Sequence, residues 1–271
     1  MKRCSQGQRL NNKDKGFSQS AYWDHLYNDL TPEDISIKEG ENFYPFHYKP
    51  RQFFYLEDFF VTCIKGIHHK RIISIGGGID KIGIYLAKRG NLVTMVEISD
   101  VAIHKTLILA KQMNVESNIQ INKMDWQASN LHQHADVVIA HDVLHHMDWE
   151  KSIDNVFLAL KEGGVYISVE PVCLLKCIKF LHKRFPFRSA PYLISQDVEL
   201  SNKNIDYIRK KFSKVEVSYF DVFTRASVTY ILYKLGFRKI IRFLSRMDFF
   251  LIRLLPFLKP FSSYVVIKAY K

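Results

Sequence analysis

The feature that most constrains the fold of this chain is an alternation of short apolar runs and amphipathic stretches over residues 71–171. The apolar runs, such as RIISI, LVTMVEI and VYISVEP, are rich in β-branched residues. The stretches between them, such as SDVAIHKTLILAKQMNV, have helical periodicity. Strands that alternate with helices form a parallel sheet covered by helices on both faces. The sequence therefore predicts an α/β fold with a doubly wound, mostly parallel sheet.

The regions on either side of residues 66–172, which we interpret as the core domain, have a different composition. Residues 1–20 are polar and are predicted to be a disordered tail. Residues 21–65 are aromatic and helical, and they are expected either to form a lid over the cofactor or to pack against the sheet. The lid would use the aromatic residues Tyr22, Trp23, Tyr44, Phe46 and Tyr48. Residues 173–271 form a basic region with helical additions between the last strands.

Three details of these elements are specific enough to check. WEKSIDNVFLALKEGG predicts a helix that ends at Gly163-Gly164. A helix over residues 51–65 is expected to bury one apolar face, made of Phe54, Phe59, Val61 and Ile64. The closing run SSYVVIKAY has the pattern of a strand at the edge of the sheet.

Positive charge is concentrated in one part of the chain. The 271 residues carry a formal net charge of +12, but residues 174–271 alone hold 20 Lys and Arg against 6 Asp and Glu. The remainder is close to neutral. A neutral body with a basic addition indicates that the addition has a partner.

Cysteine usage and the first residues indicate the compartment. The four cysteines match no zinc-site spacing, and the polar start of the chain is not typical of a secretory signal. We therefore expect a cytoplasmic protein with free thiols and no metal site. The longest apolar stretch near the C-terminus is broken by Arg253 and Pro256, which leaves it too short to span a bilayer.

The strongest indication of a binding site is the run Gly76-Gly77-Gly78, directly after the first strand and directly before a helix. Glycines let a backbone approach a ligand closely, and a helix N-terminus favours polar or anionic groups. Glu97 ends the next strand, 19 residues after Gly78. An acid at about this distance binds ribose hydroxyls in nucleotide-binding βαβ units.

A second pair of candidate residues follows the third strand. Asp125 and Trp126 lie 28 residues or more after Glu97. A carboxylate accepts a hydrogen bond from the adenine amino group, and an aromatic ring covers the adenine face. Such a pair is more often a loop acid beside a core aromatic residue. Its place at the carboxyl end of a parallel strand favours the nucleotide site.

Taken in order, ISIGGG, VEIS, KMDW, ADVVIAHDVLHHM and LKEGGVYISVEP resemble the class I S-adenosylmethionine-dependent methyltransferase family. The resemblance covers about residues 72–171 and is to the small-molecule group that includes the quinone and type-11/12 methyltransferases. It implies a seven-stranded sheet whose last strand is antiparallel, and S-adenosyl-L-methionine as cofactor. The residues that it places around the cofactor are Gly76, Gly77, Gly78, Glu97, Ile98, Asp125, Trp126, Ala140 and His141.

The resemblance also implies a role for most of these residues. The glycines would line the methionine and ribose portion of the cofactor, and Glu97 would hold the ribose hydroxyls. Asp125 and Trp126 would frame the adenine, while residues 140–141 would lie near the methionine end. The chain departs from the family pattern at two positions. Ser74 stands where an acid is frequent, and Asp80 stands where a third glycine is frequent.

The run HDVLHHM bears on the reaction type. LHH at this point resembles methyltransferases of small molecules, and the chain lacks the Asn/Asp-Pro-Pro-aromatic loop of the family's nucleic-acid base N-methyltransferases. His145 or His146 could act as general base for a hydroxyl acceptor, because imidazole titrates near neutral pH. Both histidines could equally pack and cap a helix. We expect O-methylation of a small or lipid-like acceptor.

The run FRKIIRFLSRMDFFLIRLL predicts a long amphipathic helix with Arg238, Arg242, Arg246 and Arg253 on one face. Much of the opposite face is formed by Ile240, Phe243, Leu244, Met247, Phe250, Leu251 and Leu254. Three interpretations are open: a lid helix whose apolar face covers the core, a membrane-surface helix over residues 237–258, or an RNA-binding face. For the whole chain, the alternatives are an RNA methyltransferase and a cofactor-binding domain without catalysis.

Overall fold

The β-branched runs form one seven-stranded sheet in the computed structural model, which describes residues 19–28, 30, 55–132, 135–175, 199–224 and 231–271. The strands are β1 (Arg71–Ile75), β2 (Leu92–Glu97), β3 (Ile119–Lys123), β4 (Ala135–His141), β5 (Leu160–Pro171), β6 (Lys214–Phe220) and β7 (Tyr264–Tyr270). Their order across the sheet is β3-β2-β1-β4-β5-β7-β6. β1 to β5 are parallel, and β7 is antiparallel to both of its neighbours. The predicted seven-stranded, mostly parallel sheet is confirmed.

The helices lie on both faces of this sheet. They are α1 (Gln19–Asn28), α2 (Tyr55–Ile64), α3 (Lys81–Lys88), α4 (Asp100–Gln112), α5 (Trp149–Ala159), α6 (Asn202–Lys211) and α7 (Arg238–Leu254). α2, α3, α4 and α7 pack on one face, where Leu56, Ile84, Leu109 and Ile241 belong to one buried apolar cluster. α5 and α6 cover the other face through a second cluster. No helix in the described ranges is long and apolar enough to cross a membrane.

The expectation that the closing strand is an edge strand was wrong. β7 lies between β5 and β6, and β6 is the edge. The reason is visible in its burial, because Val265, Val266 and Ile267 are consecutive and all buried. Three consecutive buried residues need cover on both faces of the sheet, which a central position provides. Lys268 and Tyr270 of the same strand are only partly buried.

Two predicted element details also need correction. α5 ends at Ala159, and Leu160 already pairs with Ala135 as the first residue of β5. Gly163 and Gly164 therefore belong to an irregular start of the strand rather than to the helix end. In α2 the buried residues are Leu56, Glu57, Phe60 and Ile64, so Ile64 is buried as predicted, whereas Phe59 and Val61 are only partly buried. Phe54 and the predicted tail residues 1–18 lie outside the described residues, as do Tyr44, Phe46 and Tyr48 of the predicted lid.

Helix α7 is rotated differently from the predicted lid helix, which would cover the core with its apolar face. Its buried residues are Ile241, Ser245, Asp248, Phe249 and Ile252. The apolar residues that were expected to cover the core are mostly exposed: Ile240, Phe243, Leu244, Met247, Phe250 and Leu254. That interpretation was therefore wrong about which face is buried.

Two polar side chains account for this orientation. Asp248 Oδ2 accepts hydrogen bonds from the backbone N–H groups of Phe223 and Thr224 at 3.0 and 3.1 Å, and from the Thr224 hydroxyl at 2.8 Å. Ser245 Oγ accepts from the backbone N–H of Tyr55 at 2.9 Å. A buried carboxylate is stable only where donors meet it, so these contacts fix the rotation of the helix.

Removal of the Asp248 carboxylate should therefore loosen the attachment of α7. We expect Asp248→Ala to lower the free energy of unfolding by about 3 kcal/mol, because it leaves buried donors without an acceptor. Asp248→Asn, which keeps one acceptor oxygen, should cost less. Urea unfolding of both variants and the wild type measures the difference. Equal stability of Asp248→Ala and wild type would contradict this account of the helix orientation.

Candidate cofactor site

The candidate site lies at the point where the strand order reverses. β2 and β3 follow β1 on one side, and β4 and β5 continue on the other side. In open α/β sheets a crevice opens at this point, outside the carboxyl ends of the strands. The turn after β1 and the ends of β2 and β4 therefore meet there.

The glycine turn after β1 has a backbone that needs glycine at two positions. Gly76 and Gly78 have φ angles of 54° and 57°. A Cβ on Gly76 would collide with the side chain of Val143, and a Cβ on Gly78 would collide with the hydroxyl of Tyr27. Close approach on both sides explains why glycine occurs here.

Glu97 joins this turn to the end of β2. Its Oε2 accepts from the backbone N–H of Gly78 at 2.9 Å, and its Oε1 accepts from the N–H groups of Ile98 and Ser99 at 2.8 and 2.9 Å. Burial raises the pKa of the Glu97 carboxyl, and these three donors oppose the rise. The structure thus brings together Gly78, Glu97 and Ile98, three of the residues that the sequence indicated.

The two departures from the family pattern contact each other. The Ser74 hydroxyl lies close enough to the Asp80 carboxyl to lower its pKa, against the larger rise that burial causes. Asp80 is also the N-cap of α3, where its Oδ1 accepts from the backbone N–H of Gly83 at 2.7 Å. Both residues are buried. A carboxylate is therefore present beside position 74, supplied from the other side of the turn.

Helix α1 crosses the same region and is attached at both ends. Ser20 Oγ donates to the carbonyl of Ile98 at 2.9 Å, and Asp24 Oδ1 accepts from the Ser99 hydroxyl at 2.6 Å. Lys105 Nζ donates to the carbonyls of Tyr27 and residue 30, each at 2.6 Å. The α1 backbone is thereby bonded to the β2–α4 connection and to α4.

The aromatic side chains of α1 fill the space above the glycine turn. The Trp23 ring stacks on the Tyr27 ring at 5.9 Å, and its edge meets the His146 ring at 5.2 Å. Burial, with the charge of Glu97, raises the pKa of the Tyr27 phenol far above its ordinary value. The cavity left beside Gly78 and Glu97 is about 10 Å³, close to the smallest space that holds one water molecule.

Asp125 and Trp126 end up in different environments. Asp125 is exposed, and its Oδ1 accepts from the backbone N–H of Gln127 at 2.9 Å. Trp126 is buried, and its indole Nε1 donates to the carbonyl of Ser152 at 3.1 Å. The indole ring packs with residues of α5 in this conformation.

The two predicted residues at the end of β4 are both buried. Ala140 is completely buried. His141 Nε2 lies 3.1 Å from Glu57 Oε2 of α2, and its ring packs against Phe60 at 5.1 Å. This pair connects α2 to the carboxyl end of the sheet beside the glycine turn.

His145 is held by a buried carboxylate. Its Nδ1 lies 3.0 Å from Oε2 of Glu170, whose side chain is fully buried and whose Oε1 accepts from the backbone N–H of Leu144 at 3.0 Å. The His146 ring lies 3.9 Å from the His145 ring. A carboxylate on one ring nitrogen fixes the tautomer and orientation of an imidazole, which is the arrangement that orients a general base.

Sequence reasoning missed Glu57, Glu170 and the specific role of Tyr27. Glu170 could have been noticed, because a carboxylate inside the β-branched run VYISVEP has to find donors when the strand is buried. Glu57 and Tyr27 carry no comparable signal, since their partners come from distant parts of the chain. Within the described ranges, no three His, Cys, Asp or Glu residues are placed to hold a metal ion.

The domain around this site matches known proteins. A family model described as a methyltransferase domain matches residues 73–166. The S-adenosyl-L-methionine-dependent Diels-Alderase iccD of Talaromyces variabilis is 32% identical over 104 residues. That match covers 37% of this chain and 36% of the relative, so it spans about a third of the relative's length.

Solved structures share the fold over more of the chain. Geranyl diphosphate C-methyltransferase from Streptomyces coelicolor A3(2) has a TM-score of 0.58 at 10% identity, covering 94% of this chain and 99% of its own. Phosphoethanolamine N-methyltransferase 2 from Haemonchus contortus has a TM-score of 0.53 at 17% identity, covering 79% and 52%. The strand order and the glycine-turn site define a Rossmann-like methyltransferase fold. The match of residues 73–166 to a methyltransferase domain supports the resemblance to the class I S-adenosylmethionine-dependent methyltransferase family.

The buried Asp80 carboxyl should give the site a measurable pH signature. Burial raises its pKa, against the opposing effects of Ser74 and Gly83, so the folded chain holds this proton more tightly than the unfolded chain. Asp80 therefore stabilises the folded chain at pH values below 3.8, the ordinary pKa of the group. This contribution is lost as the pH rises through the raised pKa. Asp80→Asn removes the effect. The stability of this variant relative to wild type should therefore rise with pH between the ordinary and the raised pKa of Asp80.

Asp136→Asn is the matched control with the opposite sign. The Arg71 N–H and Lys161 lower the pKa of Asp136 despite the cost of its partial burial. Its contribution to stability is therefore lost as the pH falls, and the stability of the variant relative to wild type should decrease with rising pH. Urea unfolding at a series of pH values measures both. Parallel curves for Asp80→Asn and wild type would show that the carboxyl does not titrate as described.

Proposed function

We propose that this chain transfers the methyl group of S-adenosyl-L-methionine to a small or lipid-like acceptor. The observation that carries the proposal is Glu97, a buried carboxylate at the carboxyl end of β2 that hydrogen bonds to the glycine turn. It lies at the switch point of the seven-stranded, mostly parallel sheet. The comparisons support S-adenosyl-L-methionine as the cofactor, because relatives with this domain are named for it or were solved with it.

The donor and acceptor groups of the site fit this cofactor. A carboxylate has about four lone-pair sites, and Glu97 uses three for backbone donors, which leaves capacity for a ribose hydroxyl. Asp125 offers an exposed carboxylate for the adenine amino group. Trp126 would contribute only its backbone to the adenine site, since its ring is buried. When bound, the cofactor supplies an electrophilic methyl group, and the chain has to orient the acceptor and exclude water.

Methyl transfer to a hydroxyl requires removal of its proton. We assign this proton transfer to the histidine pair, with His145 oriented by Glu170 and His146 beside it against Trp23. The side chain of His145 is 15% exposed, so it is not sealed inside the core. Glu170 is a positioning residue in this scheme, because it acts through His145. That the methyl group is transferred to an oxygen atom is likewise part of the proposal.

A second reaction is favoured by a specific observation. The relative with 32% identity is named as a Diels-Alderase that depends on S-adenosyl-L-methionine. A cyclisation would use the cofactor without consuming its methyl group. Transfer of radioactive methyl groups separates the two reactions, because only a methyltransferase moves the label into the acceptor and releases the demethylated cofactor. An RNA methyltransferase would label RNA, and a domain without catalysis would bind the cofactor and label nothing.

Calorimetry with the demethylated cofactor tests the central proposal. We expect micromolar binding by wild type and at least about tenfold weaker binding by Glu97→Ala, since a carboxylate–hydroxyl contact of this kind contributes about 1.4 kcal/mol or more. Glu116→Ala, which removes an exposed carboxylate outside the site, is the matched control. Thermal unfolding of each variant verifies that it is folded. Absence of binding by folded wild-type protein would refute the proposal.

Labelled methyl transfer into lipid and metabolite extracts then identifies the acceptor class. We expect label in a small amphiphilic product and none in RNA. Two structural neighbours are named for geranyl diphosphate and for phosphoethanolamine, which are small phosphate-bearing molecules. A peripheral position at the cytoplasmic face of a membrane, with contact through residues 237–258, would suit such an acceptor.

We further propose that α1 is a lid that has to move for the cofactor to enter, because its aromatic residues fill the crevice. Lys105→Met removes the ammonium that holds the end of α1 and should speed cofactor association several-fold. Lys111→Met, on the same helix but without that contact, should leave the rate unchanged. Stopped-flow fluorescence measures both rates. Equal rates for wild type and Lys105→Met would indicate that α1 does not limit entry.

A further inference from the structure

The outward side of α7 is a continuous apolar surface. Its members recur at intervals of three or four residues and are well exposed: Ile240 (44%), Phe243 (63%), Leu244 (37%), Met247 (44%), Phe250 (44%) and Leu254 (76%). Phe257, just beyond the helix, extends the surface with 67% exposure. Single exposed apolar residues are ordinary, but a contiguous exposed row marks a surface that contacts something apolar. We call the six helical residues the outer face of α7.

Basic residues border the outer face on one flank. At about 100° per residue, the outer face is centred opposite the buried residues around Ile241 and Phe249. Lys239, Arg242, Arg246 and Arg253 project between these two sides on the same flank, and Arg238 lies beside them at the first residue of the helix. Four of them, with Phe243, line an open groove of about 340 Å³. The helix therefore presents an apolar row and a cationic row side by side.

The rotation of the helix is fixed from inside the protein. Asp248 and Ser245 bind backbone groups of residues 223–224 and 55, as described above. Phe249 packs against Tyr55 and Phe220 at 5.1 and 4.9 Å. The outer face cannot turn inward without breaking these contacts. Its exposure is thus built into the fold.

The chemistry of the two rows selects the partner. A bilayer with anionic lipids offers an apolar interior below a layer of negative charge, which matches an apolar row bordered by cations. An RNA partner would account for the arginines and would leave the phenylalanines unexplained. The charge of residues 174–271, with 20 Lys and Arg against 6 Asp and Glu, fits either anionic partner, so the exposed apolar row is what favours the bilayer.

We propose that the outer face of α7 docks on an anionic bilayer, with Phe243, Phe250 and Leu254 in the acyl boundary and the flanking arginines at the lipid phosphates. Helix α2 connects this surface to the site. Tyr55 bonds to α7, and Glu57, two residues later, pairs with His141. Delivery of an amphiphilic acceptor through this contact rests on the proposed function, whereas the lipid contact itself does not.

Sedimentation of the full chain with vesicles tests the docking. We expect binding to vesicles of phosphatidylcholine with phosphatidylglycerol, and little binding to phosphatidylcholine alone. The apolar variant Phe243→Ser/Phe250→Ser/Leu254→Ser and the charge variant Arg238→Glu/Arg242→Glu/Arg246→Glu should each bind at least about tenfold more weakly. The matched control is Lys203→Glu/Arg209→Glu/Lys210→Glu on α6, with the same change of charge on exposed residues elsewhere. It should bind like wild type.

Several results would overturn the proposal. They are absence of vesicle binding by wild type, an equal loss in the α6 control, tighter binding to RNA than to anionic vesicles, and a stable dimer that the apolar variant abolishes. Calorimetry with the demethylated cofactor on the same variants keeps the two proposals separate. Vesicle binding without cofactor binding would leave the docking intact and remove the proposed function. Cofactor binding without vesicle binding would do the opposite.

Discussion

The carboxylate of Glu97 is the interaction on which the arrangement of the site depends. It binds the backbone of the glycine turn on one side and the first residues after β2 on the other. Because both partners are backbone groups, the geometry of the turn is tied to the end of the neighbouring strand rather than to any mobile side chain. The same two segments then support α1, which packs on the turn through Tyr27 and on the connection through Asp24.

Several buried ionisable groups surround this centre, and each has specific partners. Asp80 caps α3 and meets Ser74, His141 meets Glu57, and His145 meets Glu170. Burial of polar groups is costly unless hydrogen bonds compensate it. These groups are concentrated at the carboxyl ends of β1, β4 and β5. Costly burial of ionisable groups is typical of functional sites, so this end of the sheet is the functional end. The opposite end has no comparable cluster among the described residues.

The parts of the fold and site that depend on local sequence were predictable. The alternation of strands and helices, the glycine turn and the spacing to Glu97 are local patterns, and the structure has all three. The face buried by α7 was not predictable from periodicity, because apolar content suggested one rotation and the donors around Asp248 impose another. The pairs made by Glu57 and Glu170 depend on which strands and helices become neighbours. Only the assembled sheet supplies that information.

The central position of β7 has a consequence for how the chain folds. β5 and β6 follow each other in sequence, but they do not pair with each other. Each pairs with residues 264–270, which are synthesised after both. During synthesis the five parallel strands can assemble while β6 still lacks a partner and the edge of β5 remains open. Pairing at long sequence separation is slow, and unpaired edges favour association with other chains. Removal of a few residues from β7 would therefore separate β6 from the sheet as well, so that the loss would extend well beyond the deleted segment.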